Sequence, residues 1–169
     1  MKAAIDAGYR AIDTAEIYGT EPAVGRAIAA KITEGVVTRA ELFVTTKLTQ
    51  AHHRPELIEP SLRRSLANLQ LEYVDLYLVH APIAYAYDES SGLWPAAANG
   101  SRVYDLDCGL MDTWGGMEGV AKLGIAKSIG VSNFSAKKLG EMQSYATTFP
   151  AVNQVRRAAM RAHCRRHAR

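Results

Sequence analysis

The sequence predicts an α/β fold, a partial (β/α)8 TIM barrel with about five of its eight strands. Short apolar runs alternate with helical patterns along the chain, and this alternation is typical of a parallel sheet with right-handed crossovers. A polar residue ends each predicted strand: Asp13, Lys47, His80, Asn133 and Gln154. The first two gaps are 34 and 33 residues, or one β/α unit each. A doubly wound sheet fits the same alternation, but no G-x-G-x-x-G motif follows the first strand.

Five segments are predicted to be strands because they are short, apolar and rich in Val, Ile and Leu. They are Arg10–Thr14, Leu42–Lys47, Val74–His80, Ala126–Ser132 and Ala151–Val155. In a barrel the carboxyl ends of such strands surround the active site. The polar strand ends are therefore expected to share one rim.

Four segments have helical patterns: Glu21–Glu34, Arg54–Gln70, Asp112–Leu123 and a helix from the Ser135 cap to about Tyr145. Within the second, Pro60 indicates a late start or a kink. The residues that follow Met1 resemble the end of a helix. The stretch Ala84–Asp107 has no period and is predicted to be a long loop, while His52 and His53 are assigned to a shorter one.

The composition is that of a globular protein, with 48% hydrophobic and 22% charged residues. No apolar run reaches about 18 residues, and the N-terminus lacks the long apolar core of a signal peptide. Cys108 and Cys164 cannot form a disulfide framework, so the cytoplasm is the expected location.

The net charge of +3 is unevenly distributed. The last 14 residues contain six arginines and no acid, so the main body carries a net charge of −3. We therefore predict an incomplete barrel over residues 1–155 and a basic, disordered tail over 156–169. Neither nucleic acid nor a membrane is expected as a partner, although an arginine-rich tail could bind either. His163 and His167 have helical metal-ligand spacing, but with no third ligand in view no metal is expected.

Four side chains would converge on the barrel rim if the strand assignment is right: Asp13, Tyr18, Lys47 and His80. A nearby ammonium makes a phenol a better proton donor near neutral pH. A buried lysine needs a carboxylate partner, which Asp13 could supply. A neutral histidine can orient a carbonyl oxygen. This set suits protonation of an oxygen during hydride transfer from a nicotinamide, because no protein side chain supplies hydride.

Five segments, in order, resemble the aldo-keto reductase family. They are GYRAIDTAEIYGTEPAVG (Gly8–Gly25), LFVTTKL (Leu42–Leu48), YVDLYLVHAP (Tyr73–Pro82), AKSIGVSNF (Ala126–Phe134) and PAVNQV (Pro150–Val155). The resemblance covers Met1 to about Val155. It implies a (β/α)8 enzyme that reduces an aldehyde or ketone to an alcohol with NADPH.

The resemblance also implies a role for each site residue. Tyr18 would donate the proton, Lys47 would make Tyr18 a better donor, and Asp13 would pair with Lys47. His80 would bind the substrate and position its carbonyl group. Four residues, Asp13, Ser132, Asn133 and Gln154, would bind the cofactor, the last three at the nicotinamide carboxamide.

Departures from the family pattern concern the two ends of the chain. The resemblance implies a copy truncated at both ends, in which the site for the cofactor's 2′-phosphate and adenine is missing. Ala81 replaces an aromatic residue found in many members, which alters the expected substrate pocket.

Two alternatives to a carbonyl reductase stay open. One is a catalytically impaired fragment or an interaction module without turnover. The other is a redox-sensing subunit that holds the cofactor for a partner. The sequence specifies neither the carbonyl substrate nor the oligomeric state.

Overall fold

A computed structural model of the chain describes residues 1–88 and 92–155. The arginine-rich segment 156–169, with Cys164, His163 and His167, lies outside the described residues. The predictions made for it, including the domain boundary after residue 155, stay predictions.

Within the described residues the sheet has five parallel strands, β1 to β5, in the order β1-β2-β3-β4-β5. Their bounds are Ala11–Asp13, Phe43–Leu48, Val74–Val79, Ala126–Ser132 and Asn153–Gln154. Each strand pairs with the next one along the chain, as in a (β/α)8 barrel, whereas a doubly wound sheet reverses its strand order at a switch point. The prediction of a partial barrel is therefore confirmed.

Five α-helices, α1 to α5, accompany the described strands. Their bounds are Lys2–Asp6, Glu21–Thr33, Pro55–Leu69, Leu110–Lys122 and Ala136–Met142. Three short 3-10 helices are added at Glu16–Tyr18, Arg39–Glu41 and Gln50–His52. These three turns were not predicted from the sequence.

Helix α3 begins at Pro55 and continues through Pro60, so of the two alternatives predicted at Pro60 the late start is wrong and the kink stays a prediction. Pro55 fits the first turn, where no backbone donor is needed. Pro60 cannot donate to the carbonyl of Glu56, but both residues lie on the exposed face of the helix, where water can solvate that carbonyl.

Helix α5 starts as predicted, with the Ser135 hydroxyl accepting a hydrogen bond from the Lys138 N–H at 3.3 Å. It ends at Met142 rather than near Tyr145. The reason is a change in hydrogen bonding, because Ser144 and Tyr145 bond to the carbonyls three residues earlier.

The core lies between the sheet and the helices. Leu62, Leu66 and Leu69 place the apolar face of α3 into it, and Trp114 and Met117 do the same for α4. The predicted loop over 84–107 folds back on itself through isolated antiparallel bridges, Tyr85 with Tyr104 and Ala96 with Arg102.

A charged cluster fixes the start of β3. Asp75 accepts hydrogen bonds from Arg39 Nη2 (2.8 Å), Lys127 Nζ (3.2 Å) and the Val44 N–H (2.9 Å). Arg39 and Lys127 each lie 4.0 Å from the centroid of the Tyr73 ring. The cluster joins β2, β3 and β4 at the end of the sheet opposite the polar strand ends.

Within residues 1–88 and 92–155 no helix has the length and apolar content needed to cross a bilayer.

Candidate active site

The strand ends bring the predicted site residues to one rim. Asp13 ends β1, Lys47 precedes the last residue of β2, and His80 follows β3. Ser132 ends β4 and Gln154 ends β5. Because all five strands are parallel, these positions lie at the same edge of the sheet.

A cleft of about 320 Å³ opens at this rim. Its lining contains six of the seven predicted residues together with Val155: Asp13, Tyr18, His80, Ser132, Asn133 and Gln154. The seventh, Lys47, is 1% exposed and contacts Asp13. A larger cavity, of about 610 Å³, lies between the start of α3 and the loop over 84–107, and it contains none of the seven.

Lys47 is a buried cation with two partners. Its ammonium forms an ion pair with Asp13 and donates a second hydrogen bond to the Thr14 carbonyl at 3.0 Å. A buried charge needs such partners to offset its desolvation. The Asp13 side chain is about half exposed, so the pair connects the interior with the cleft.

Tyr18 enters the site from the short 3-10 helix that follows β1. Its hydroxyl lies 3.5 Å from His80 Nε2, and the two rings meet edge to face with centroids 5.5 Å apart. The Lys47 ammonium lies 5.3 Å from the centroid of the Tyr18 ring. Tyr18 is 50% exposed, so its hydroxyl is accessible to a bound molecule.

His80 is held as a neutral side chain. Burial lowers its pKa, the charge of Lys47 lowers it further, and Asp13 opposes the shift only in part. Its carbonyl accepts a hydrogen bond from Asn133 Nδ2 at 2.9 Å, which ties the end of β3 to the residue after β4. A neutral imidazole at this position can hydrogen-bond a carbonyl oxygen without adding charge.

Polar side chains from the ends of β4 and β5 complete the cleft. Ser132 Oγ donates to the Gln154 carbonyl at 2.8 Å, and Gln154 Nε2 donates to Asp13 Oδ2 at 2.7 Å. Asn133 has a positive φ of 62°, a conformation that asparagine tolerates well. Its Oδ1 and Gln154 Oε1 accept no hydrogen bond from the described residues, so both can accept one from a ligand.

A buried network behind Tyr18 was not predicted from the sequence. Glu16 is 7% exposed, and its carboxylate contacts His52, Ser61 and Arg64. His52 and His53, assigned to a loop, are both buried. No local pattern indicates these contacts, because the partners of Glu16 lie 36 to 48 residues away along the chain.

In the part of the chain that the structure describes, no group of three or more His, Cys, Asp or Glu side chains is arranged to hold a metal ion.

Comparison with known proteins places the chain in one family. The model of the aldo/keto reductase family matches residues 1–168. Human aldo-keto reductase family 1 member A1 is 43% identical over 156 residues, which are 92% of this chain and 47% of that protein. Member C1 of the same family from Pongo abelii is 49% identical over 138 residues, which are 82% of this chain and 42% of that protein.

Solved structures share the fold. Aldose reductase from Giardia lamblia superimposes with a TM-score of 0.88 at 35% identity, covering 92% of this chain and 51% of that one. An aldo-keto reductase from Bombyx mori, in complex with NADP, gives 0.80 at 42% identity, covering 92% and 46%. The chain thus spans about half the length of the relatives it matches. It belongs to the aldo/keto reductase family.

Proposed function

We propose that this chain carries the proton-donating half of an NADPH-dependent carbonyl reductase site, which converts an aldehyde or ketone to an alcohol. One observation carries the proposal: Tyr18, His80 and the Lys47–Asp13 ion pair meet at one rim, with the Tyr18 hydroxyl accessible. Family membership and the aldose reductases among the structural relatives support the reaction class.

In the proposed reaction Tyr18 donates its hydroxyl proton to the substrate oxygen as negative charge develops there. The Lys47 ammonium stabilises the phenolate left on Tyr18, and Asp13 holds the ammonium in place. His80 Nε2, beside the Tyr18 hydroxyl, orients the carbonyl group of the substrate. Because His80 is neutral near pH 7, it can perform this role without competing as an acid.

NADPH, when bound, supplies the hydride. The residues at the rim fit its carboxamide group, since Asn133 and Gln154 each offer a free amide oxygen and line the same cleft as Tyr18. Ser132 would contribute by holding these amides in place, because its hydroxyl accepts a hydrogen bond from Asn133 Nδ2 and donates one to the backbone carbonyl of Gln154. The Bombyx mori relative was solved with NADP, which supports this choice of cofactor. The missing 2′-phosphate and adenine site stays a prediction, and weak discrimination between NADPH and NADH would support it.

The decisive experiment measures NADPH oxidation with a generic aldehyde. Tyr18→Phe removes the proton donor and keeps the ring, so we expect turnover to fall by about a hundredfold or more. Tyr9→Phe is the matched control, because Tyr9 is 67% exposed and precedes the opposite end of β1. Turnover in folded Tyr18→Phe equal to that of the control would refute the role of Tyr18.

Cofactor binding without turnover is the second candidate. It is favoured by the amide oxygens of Asn133 and Gln154, which line the cleft, accept no hydrogen bond within the described residues and could hold a cofactor whether or not Tyr18 donates a proton. A titration of NADPH fluorescence separates the two, because binding without aldehyde-dependent oxidation supports the second candidate alone. The small-molecule carbonyl substrate and the cytoplasmic location stay predictions.

A further inference from the structure

The position of the Tyr18 side chain is set largely through its backbone. Within residues 1–88 and 92–155 the hydroxyl has one hydrogen-bonding neighbour, His80, at the long distance of 3.5 Å, and half of the side chain is exposed. The 3-10 helix that carries it is only three residues long, Glu16–Tyr18. A single turn has little stability of its own. Glu16 is the buried residue of this turn, so its contacts are the ones best able to fix it.

Glu16 supplies these contacts. Its Oε1 accepts a hydrogen bond from Arg64 Nε at 2.7 Å, and its Oε2 accepts one from Ser61 Oγ at 2.9 Å. His52 Nδ1 lies 3.3 Å from Oε2. Ser61 and Arg64 belong to α3, while His52 ends the 3-10 helix that follows β2, the strand of Lys47. One carboxylate thus joins the Tyr18 turn to two other elements.

The Glu16 side chain is ionised within this network. Burial alone would raise its pKa, but hydrogen bonds from His52 and Arg64 and the charge of Arg64 outweigh burial and lower the pKa below its ordinary value. Charge-assisted hydrogen bonds of this kind are stronger and more directional than neutral ones. The network can therefore define the orientation of the turn as well as stabilise it.

A second buried carboxylate, that of Glu21, lies at the start of α2, the helix that follows the Tyr18 turn. Glu21 accepts hydrogen bonds from Thr46 Oγ1 at 2.6 Å and from Asn68 Nδ2 at 3.4 Å. It begins α2, so its contacts fix the helix rather than the turn. Of the two carboxylates, Glu16 is the one in the same turn as Tyr18.

We infer that Glu16 is a positioning residue for Tyr18, whose hydroxyl faces His80 because the Glu16 carboxylate fastens the turn to Ser61 and Arg64. The consequence for catalysis rests on the proposed function, whereas the placement of the Tyr18 hydroxyl by Glu16 is independent of it. If the Glu16 contacts only stabilised the fold, breaking them would lower the free energy of unfolding and leave Tyr18 in the same place in the folded protein. A positioning residue would move Tyr18 in a protein that remains folded.

The test follows the environment of Tyr18 by fluorine NMR of the 169-residue chain labelled with 3-fluorotyrosine. Tyr18→Phe assigns the resonance, and His80→Ala gives its shift without the neighbouring ring. Glu16→Gln removes the charge at constant shape. Arg64→Met removes a partner whose side chain is 49% exposed, and it tests the same contact if Glu16→Gln fails to fold. Glu59→Gln is the matched control, because it breaks the exposed ion pair with Arg63 on the same helix.

We expect the Tyr18 resonance in Glu16→Gln and Arg64→Met to move toward its position in His80→Ala, and to stay unchanged in Glu59→Gln. If the chain turns over, kcat in the first two variants should fall by about ten- to a hundredfold with little change in KM, the size of effect that small misplacements of reacting groups produce. Absence of turnover in the unmodified chain would count against the proposed function alone. A Tyr18 resonance that keeps its wild-type shift in the folded Glu16 or Arg64 variant would overturn the inference.

Discussion

His53 makes the stability of this fold sensitive to mild acid. It follows the 3-10 helix Gln50–His52 and is 1% exposed, and neither ring nitrogen has a hydrogen-bond partner within the described residues. Burial, with a smaller contribution from the charge of His52, lowers the pKa of His53 from 6.5 to about 4. The folded protein therefore keeps this imidazole neutral.

The sign of the effect follows from proton binding. Between about pH 6.5 and pH 4 the unfolded chain binds a proton at His53 and the folded chain does not, so the free energy of unfolding falls as the pH falls. A difference of one pKa unit corresponds to about 1.4 kcal/mol. Over the full range His53 should therefore remove about 3 kcal/mol of stability, and above pH 6.5 it should have no pH-dependent effect.

The substitution His53→Leu isolates this contribution. It replaces an unpartnered polar ring by an apolar side chain of similar size, so we expect no loss of stability near pH 7. Urea unfolding, followed by the fluorescence of buried Trp114, gives the free energy at each pH. The wild type should lose about 3 kcal/mol more than His53→Leu between about pH 7 and pH 4. Parallel pH dependences in the two proteins would refute the reasoning.

Two further predictions concern packing and charge. Gly25→Ala should lower the free energy of unfolding by about 1–3 kcal/mol in thermal or urea unfolding, because its Cβ would lie 2.6 Å from the backbone of Leu69. Gly115→Ala has open space around its Cβ, so it should stabilise helix α4 by up to about 1 kcal/mol. Equal effects of the two alanines would contradict the packing. Asp75→Asn should cost about 2 kcal/mol near pH 7, since hydrogen bonds from Val44 and two cations outweigh burial and lower the pKa of Asp75. This loss should vanish in unfolding measurements well below pH 4, where the aspartate is protonated in both states.

The sheet and most of the rim could be predicted from the sequence because their signals are local. A strand of apolar residues that ends in a polar side chain is recognisable by itself, and parallel pairing then brings Asp13, Lys47 and His80 to the same edge. The register confirms this arrangement, since Asp13 pairs with Thr45 and Lys47 with Leu78. Helix ends were less predictable.

The errors in the helices arise where tertiary surroundings decide the outcome. Pro60 is a helix breaker by its local chemistry, yet it is tolerated in α3 because it lies on the exposed face. Likewise, nothing near His53 in the chain indicates burial. Its environment is created by the packing of the turn after β2, which the sequence pattern does not describe.

Tyr18 shows why the site was only partly predictable. Backbone hydrogen bonds between paired strands set the positions of Asp13, Lys47 and His80, and such bonds can form with many different side chains. Tyr18 is carried by one short turn, so its geometry depends on specific side-chain contacts to Glu16. These contacts join residues up to 48 positions apart and leave no periodic trace in the sequence. The residue whose chemistry is easiest to recognise is thus the one whose position the sequence pattern determines least. Substitutions behind the turn should therefore displace Tyr18 more than substitutions in the sheet that lower the free energy of unfolding by the same amount.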